Sequence, residues 1–127
     1  MKEKDITSPI LKHLKYRYGS TCAIEIKICK TGSLPFSRLE EHQKNALLLT
    51  KHGCVVHKIP DAGYQNPFDA FMLCHEPAFV VIMFWERGKK EFFVIDIDVW
   101  VAEESSSKRK SLTEDRARDI GDAFFLP

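Results

Sequence analysis

Two ionisable side chains of opposite sign, Glu25 and Lys27, stand two residues apart in "AIEIKICK" (23–30), interleaved with Ile24, Ile26 and Ile28. Successive side chains of a strand point to opposite faces, so this alternation buries the isoleucines on one side and brings the acid and the base out together on the other. A carboxylate can hold a divalent cation against a phosphate, and an ammonium beside it can orient or deprotonate water or neutralise developing charge. The backbone carbonyl of Ile26 can add a hard oxygen ligand. The same spacing also describes a half-exposed strand that shows Glu and Lys to water, and the spacing alone does not separate the two readings.

A cation site of this kind calls for at least one more acid. Asp69, in "NPFDAF", opens a strand directly after a turn containing Pro67, where a carboxylate can project from the end of a sheet. Asp96 and Asp98 in "FVIDIDVW" share a strand face; they are either further ligands or the polar face of an exposed strand. Asp61 in "IPDAG" can serve as a ligand but is foremost a turn residue. Glu3 and Asp5 stand near a chain end, where fraying works against a ligand role. Gln43 is the remaining oddity. With Leu39, Ala46, Leu47 and Thr50 it falls on one face of a helix, and an unpaired amide there would cost about 1–3 kcal/mol. His42 and His57 have no Ser or Cys partner in a triad-like pattern and read as solvated or hydrogen-bonded imidazoles.

The elements that must position these groups follow from the apolar periodicity. "DITSPILKHLKYRYG" (5–19) predicts a helix with Pro9 in its opening turn and Gly19 as a stop. After the strand at 22–29, "TGSLPFS" is a connector, and Ser37 with Glu40 has the form of a capping box for a helix from about Arg38 to His52, closed by Gly53. "CVVHKI" (54–59) predicts a strand and "PDAGYQNP" (60–67) a loop. "FDAFMLC" (68–74), "AFVVIMFW" (78–85) and "EFFVIDIDVWV" (91–101) predict three more strands, the last two joined by a hairpin turn. The unbroken apolar run at 78–85 places its strand centrally, covered on both faces. "EESSSKRK" (103–110) reads as a flexible surface loop or a mobile arm that touches phosphate, and Ser111 with Glu114 as a second capping box for a short last helix. Trp85, Trp100, Phe92 and Phe93 read as core or dimer interface before base-stacking platforms. The expected fold class is α/β: one domain, a mixed central sheet flanked by helices.

Bulk properties narrow the classes. A chain of 127 residues, 44% hydrophobic and 29% charged, has the size and composition of one globular domain and excludes a disordered chain. The longest apolar run, 78–85, falls well short of the roughly 20 residues that span a bilayer. No apolar stretch marks an export signal near Met1, so a cytoplasmic location is expected. Cys22, Cys29, Cys54 and Cys74 lack C-x-x-C spacing and lie in or beside apolar segments, which predicts reduced, buried thiols rather than a disulfide framework or a zinc site. Residues 1–60 carry 11 Lys and Arg against 5 Asp and Glu, and residues 61–127 carry 8 against 13. Clustered positive charge can attract a polyanion such as DNA through counterion release, with Lys30, Arg38, Lys44, Lys51 and Lys58 as candidate contacts, and equally describes solvated lysines on an ordinary surface.

"IEIK", followed by "SLPFSRLEEHQKNAL" and a hydrophobic hairpin of the "AFVVIMFW…EFFVIDIDVW" type, resembles the PD-(D/E)XK nuclease superfamily and, within it, the RecU-like Holliday-junction resolvases. The likeness spans roughly 22–101 and is most specific over 25–47. It implies a restriction-endonuclease-like fold and a Mg²⁺- or Mn²⁺-dependent endonuclease acting on DNA, with branched DNA as the expected substrate. It further implies Glu25 as metal ligand, Lys27 as catalytic lysine and Gln43 as a helix residue reaching the site. The order of motifs departs from that family, since its aspartate precedes E-x-K whereas "PFD" here follows it. A permuted topology that lays the Asp69 strand beside the Glu25 strand would reconcile the two. Symmetric cutting of a four-way junction would call for a homodimer. A non-catalytic nucleic-acid-binding or assembly module with the same fold is the competing expectation.

Overall fold

Where the apolar period changes along the chain, the secondary structure changes with it. The computed structural model describes residues 3–18, 21–60, 67–86 and 89–126. Helix α1 (Glu3–Tyr18) leads to β1 (Ala23–Cys29), β2 (Ser33–Pro35), a 3₁₀ turn at Phe36–Arg38 and α2 (Glu41–His52). Then come β3 (Cys54–Lys58), β4 (Ala70–Cys74), β5 (Ala78–Phe84), β6 (Glu91–Asp96), α3 (Ile97–Ser106), β7 (Ser111–Thr113), α4 (Glu114–Ile120) and β8 (Asp122–Phe125).

The result is a small α/β domain with a mixed sheet of order β1-β5-β6-β8, flanked by helices. β1 and β5 run parallel, while β5–β6 and β6–β8 are antiparallel. On one face Ile6, Ile10 and Leu14, one helical stripe of α1, pack on Ile26, Ile28, Val81, Met83, Phe92 and Val94. On the other, Leu47 of α2 and Ile97 and Trp100 of α3 cover Val80, Ile82, Phe93 and Ile95. β5 is thus buried on both sides, as its unbroken apolar run predicts. Trp100, Phe92 and Phe93 are core, whereas Trp85 stays partly exposed. At Gly121, after α4, an added Cβ would come within 2.9 Å of the Val94 carbonyl oxygen, so only glycine lets α4 close down on β6. Among the described residues no helix is long and apolar enough to cross a membrane.

Four expectations are corrected. The strand expected over 91–101 stops at Asp96, whose carboxylate caps α3 by accepting a bond from the Asp98 amide at 2.8 Å. The period changes there from 2 to 3.6, so that Ile97 and Trp100 fall on one helical face. Helix α3 also claims the first part of the loop expected at 103–110, up to Ser106. The capping boxes shift as well: α2 starts at Glu41 with Glu40 as N-cap and Gln43 as its box partner, while Ser111 lies in β7 and Thr113 caps α4. Finally, Cys54 and Cys74 form a disulfide, and only Cys22 and Cys29 are free thiols. The two bonded cysteines face each other across the β3–β4 hairpin at a Cα separation of 4.1 Å. That matches a non-hydrogen-bonded antiparallel pair, where backbones approach most closely.

Candidate catalytic cluster on the edge strand

β1 is the edge strand of the central sheet, and its odd residues point toward α2. Glu25 is level with Val80, and Lys27 with Ile82. This face is covered, so the acid and the base are not surface decoration: Lys27 is 7% exposed. A buried ammonium needs a counter-charge, and Lys27 Nζ lies 3.2 Å from Glu25 Oε1. The same oxygen accepts a bond from Gln43 Nε2 at 2.9 Å. Gln43 Oε1 in turn accepts from the Glu40 amide at 3.0 Å, completing the N-terminal cap of α2. The inward-facing amide therefore spends one end on capping its own helix and the other on fixing the Glu25 carboxylate beside the positive end of α2.

Lys27 and Gln43 both meet Oε1 of Glu25; among the described residues Oε2 takes no hydrogen bond. The backbone adds a second oxygen. Ala23 N–H bonds the Pro77 carbonyl at 2.9 Å and the Cys29 carbonyl accepts from Trp85 N–H at 2.6 Å, so the odd residues of β1 address β5. In a strand the intervening residues address the opposite side. Ile24 and Ile26 thus turn their N–H and C=O groups to the outer edge, where no described strand pairs with β1. Arg38 also meets that edge, donating from Nη2 to the Ile28 carbonyl at 3.4 Å.

The other expected acids lie elsewhere. Asp69 is exposed and immediately precedes β4, which pairs with β3 in a separate hairpin, whereas the sheet neighbour of β1 is β5. The base of the hairpin is tied to the C-terminal end of α2 by His75 N–H to the Gly53 carbonyl (3.0 Å) and Glu76 N–H to the Thr50 carbonyl (2.9 Å). Asp69 sits at the opposite end, where its carbonyl accepts from Ile59 N–H at 2.7 Å. The expected convergence of Glu25 and Asp69 is therefore not present in this arrangement. Asp96 and Asp98 are engaged by Lys51, and Asp98 also by His52 at 2.7 Å. Hydrogen bonds from Lys51 and His52 hold the Asp98 carboxyl below its ordinary pKa, and the bonds to Asp96 and Asp98 raise that of Lys51. Asp61 lies outside the described residues, as does the side chain of Glu3; Asp5 belongs to α1, on the other side of the sheet. Among the described residues no group of three or more His, Cys, Asp or Glu is arranged to hold a metal ion.

The basic candidates also divide. Lys30, Arg38 and Lys58 are exposed. Lys44 is held between Glu41 and Glu104, at 3.1 Å from each, and hydrogen bonds to them raise its pKa. Part of the basic character of the first half of the chain is thus cancelled by acids of the second. His42 lies 3.4 Å from Glu40, and His57 stacks on Phe71; neither joins the cluster. Sequence reasoning did not find a cavity of about 1280 Å³ on the α1 side, lined by Ile6, His13, Met83, Trp85 and Leu126 among others. It shares no residue with the cluster around Glu25.

No family model, curated protein or solved structure matches this chain. The arrangement itself defines a small α/β domain with a Glu–Lys–Gln cluster, its lysine buried and its acid and amide partly exposed, on the edge strand of the sheet. Glu25 Oε2 and the Ile26 carbonyl are oxygens of the hard type that Mg²⁺ accepts, and Mg²⁺ is commonly held by one or two carboxylates with water and substrate phosphate. That set supplies one of the two carboxylates expected of such a site; among the described residues no second acid joins Glu25.

Proposed function

We propose that this chain is a Mg²⁺- or Mn²⁺-dependent DNA endonuclease, selective for branched DNA in the manner of a Holliday-junction resolvase. The observation that carries this reading is the Glu25–Lys27–Gln43 cluster, in which a carboxylate has one oxygen fixed by an ammonium and an amide and the other to spare. Glu25 and the Ile26 carbonyl would hold the cation, which when bound polarises the scissile phosphate. Gln43 fixes the rotamer of Glu25. Lys27, desolvated and held by Glu25, would orient the attacking water and neutralise charge developing on the phosphoryl oxygens. The product end would be a 5′-phosphate. Lys30, Arg38 and Lys58 supply exposed positive charge for the backbone of the nucleic acid. Two copies would cut a symmetric junction symmetrically.

A second reading is favoured by the single carboxylate of the cluster: a non-catalytic nucleic-acid-binding or assembly module. Labelled duplex, single-stranded and four-way-junction DNA incubated with Mg²⁺, Mn²⁺ or chelator separates the two. Cation-dependent cleavage that Lys27→Ala abolishes, with binding retained, supports the nuclease. Salt-sensitive binding without cleavage under any cation supports the module.

A further inference from the structure

The cavity of about 1280 Å³ on the α1 side of the sheet faces away from the Glu25 cluster. One wall is α1, from Asp5 to Lys15; the other is formed by the end of β5, Lys89 and Lys90 before β6, and Leu126 after β8. That stretch of helix measures about 15 Å along its axis, so the cavity is a groove rather than a pit. Its volume exceeds the roughly 300–1,000 Å³ of a pocket for a compact small molecule. An extended ligand suits it better.

Floor and rim differ in chemistry. Ile6 and Met83, at 2% and 1% exposure, lie deepest, and Pro9, Trp85 and Leu126 add apolar sides. An apolar surface rimmed by polar groups is the form that ligand grooves take. The rim carries Lys12, Lys15, Lys89 and Lys90 against Asp5 and Glu86. Lys89 is already committed to Glu114 and lies 4.0 Å from Glu86. Lys12, Lys15 and Lys90 are exposed and enter none of the ion pairs among the described residues. Lys12 and Lys15 stand three apart on α1 and are therefore neighbours on its surface, about 10 Å or more along the axis from Asp5. A single negative charge set at this pair meets two ammonium groups and stays clear of that acid.

We infer that the groove binds a long-chain carboxylate as a monomer, its alkyl tail laid over Met83 and Trp85 and its head group paired with Lys12 and Lys15. Charge complementarity selects this occupant. A polyanion would bring further phosphates against Asp5 and Glu86, and a single indole offers no succession of platforms on which bases could stack. A ligand with one charged end leaves both acids in water. The surface of a bilayer would meet the rim lysines, whereas only a separate chain reaches Ile6 and Met83 at the floor. The groove shares no residue with the Glu25 cluster, so this site stands apart from the nuclease reading.

Fluorescence titration of the full chain with dodecanoate, kept below the concentration at which it forms micelles, tests the site. Trp100 is sealed in the core at 0% exposure while Trp85 is 37% exposed, so the emission that responds is that of Trp85. A saturable blue shift is expected, with decanoate binding up to about tenfold more weakly because two fewer methylenes are buried. Acetate should produce no shift, and dodecyltrimethylammonium should bind about tenfold more weakly than dodecanoate or worse. The double variant Lys12→Glu/Lys15→Glu should invert that preference, whereas the charge-matched Lys108→Glu/Lys110→Glu, outside the groove, leaves it as it is. No saturable shift with dodecanoate, equal affinity for the cationic amphiphile, or affinity indifferent to the reversal at Lys12 and Lys15 overturns the proposal. Binding to phosphatidylglycerol vesicles or to oligothymidylate, without binding of monomeric dodecanoate, also overturns it and assigns the groove to a bilayer or to nucleic acid.

Discussion

Glu25 and Glu91 are carboxylates on the same face of the same sheet, each held by a cation, and they are spent differently. Glu91 is 3% exposed and grips Arg118 through both oxygens, at 2.7 Å each, in a bidentate pair. Arg118 also lies over the Phe93 ring, 5.1 Å from its centroid. Nothing of Glu91 is left over. Glu25 sits on the edge strand β1, whereas Glu91 is on the interior strand β6; the Glu25 side chain is 30% exposed, and a single oxygen serves both Lys27 and Gln43. A saturated carboxylate fastens α4 to β6; a half-used one beside an open edge retains a lone pair for a ligand. Burial alone does not separate structure from chemistry here, whereas the count of satisfied oxygens does.

The difference breaks most sharply at the two cations. Lys27→Met, which keeps the aliphatic stem, should lower single-turnover cleavage of a labelled junction by about 10³-fold, while Arg118→Met leaves cleavage within about twofold. Stability should answer in reverse. Arg118→Ala strands a buried carboxylate and should lower stability more than any other single change named here, as read from urea unfolding. Gln43→Ala loses one cap bond and one bond to Glu25, and should cost about 1 kcal/mol.

Acid sharpens the contrast. The hydrogen bonds from Arg118 hold the Glu91 carboxyl below its ordinary value of 4.5. The stabilisation from that pair is therefore complete above the unfolded value and is lost as pH falls through the lower, folded one. The gap in unfolding free energy between the unaltered chain and Arg118→Ala should be widest near pH 7 and shrink as pH falls, because the carboxyl stranded in the variant takes up its proton at a higher pH than the paired one. The smallest effect belongs to Lys51→Ala. Its ion pairs to Asp96 and Asp98 are partly exposed, so the loss should be under about 1 kcal/mol and fade further in 0.5 M salt, as read from thermal melts.

The Glu25–Lys27–Gln43 cluster was legible in the sequence because each member obeys a short-range period: two for the acid and base on the strand, three to four for the glutamine on its helix. Local periodicity also found β5 and the Gly53 stop of α2. What escaped was set by long-range pairing. The partner of β4 could not be read from "FDAFMLC", because a strand does not encode which edge it meets; nor could the Cys54–Cys74 bond, which depends on hairpin register. "VIDIDVW" fits a strand as well as a helix entry until Asp96 is seen to cap α3. Charge was misread for a similar reason. Lys44 and Lys51 look like free positive charge in the first half of the chain, yet their counter-ions Glu104, Asp96 and Asp98 arrive from more than forty positions away.

The bond between Cys54 and Cys74 makes a covalent ring of the segment it encloses. A protease that severs one peptide link inside that ring yields a nicked molecule that still migrates as a single species. Only after a reductant is added does it fall into two fragments, one ending beyond α2 and carrying Glu25 and Lys27, the other containing β5 and everything after it. The polypeptide that bears the acid–base pair and the strand it lies against are thus joined by two independent routes, one of which survives the cut.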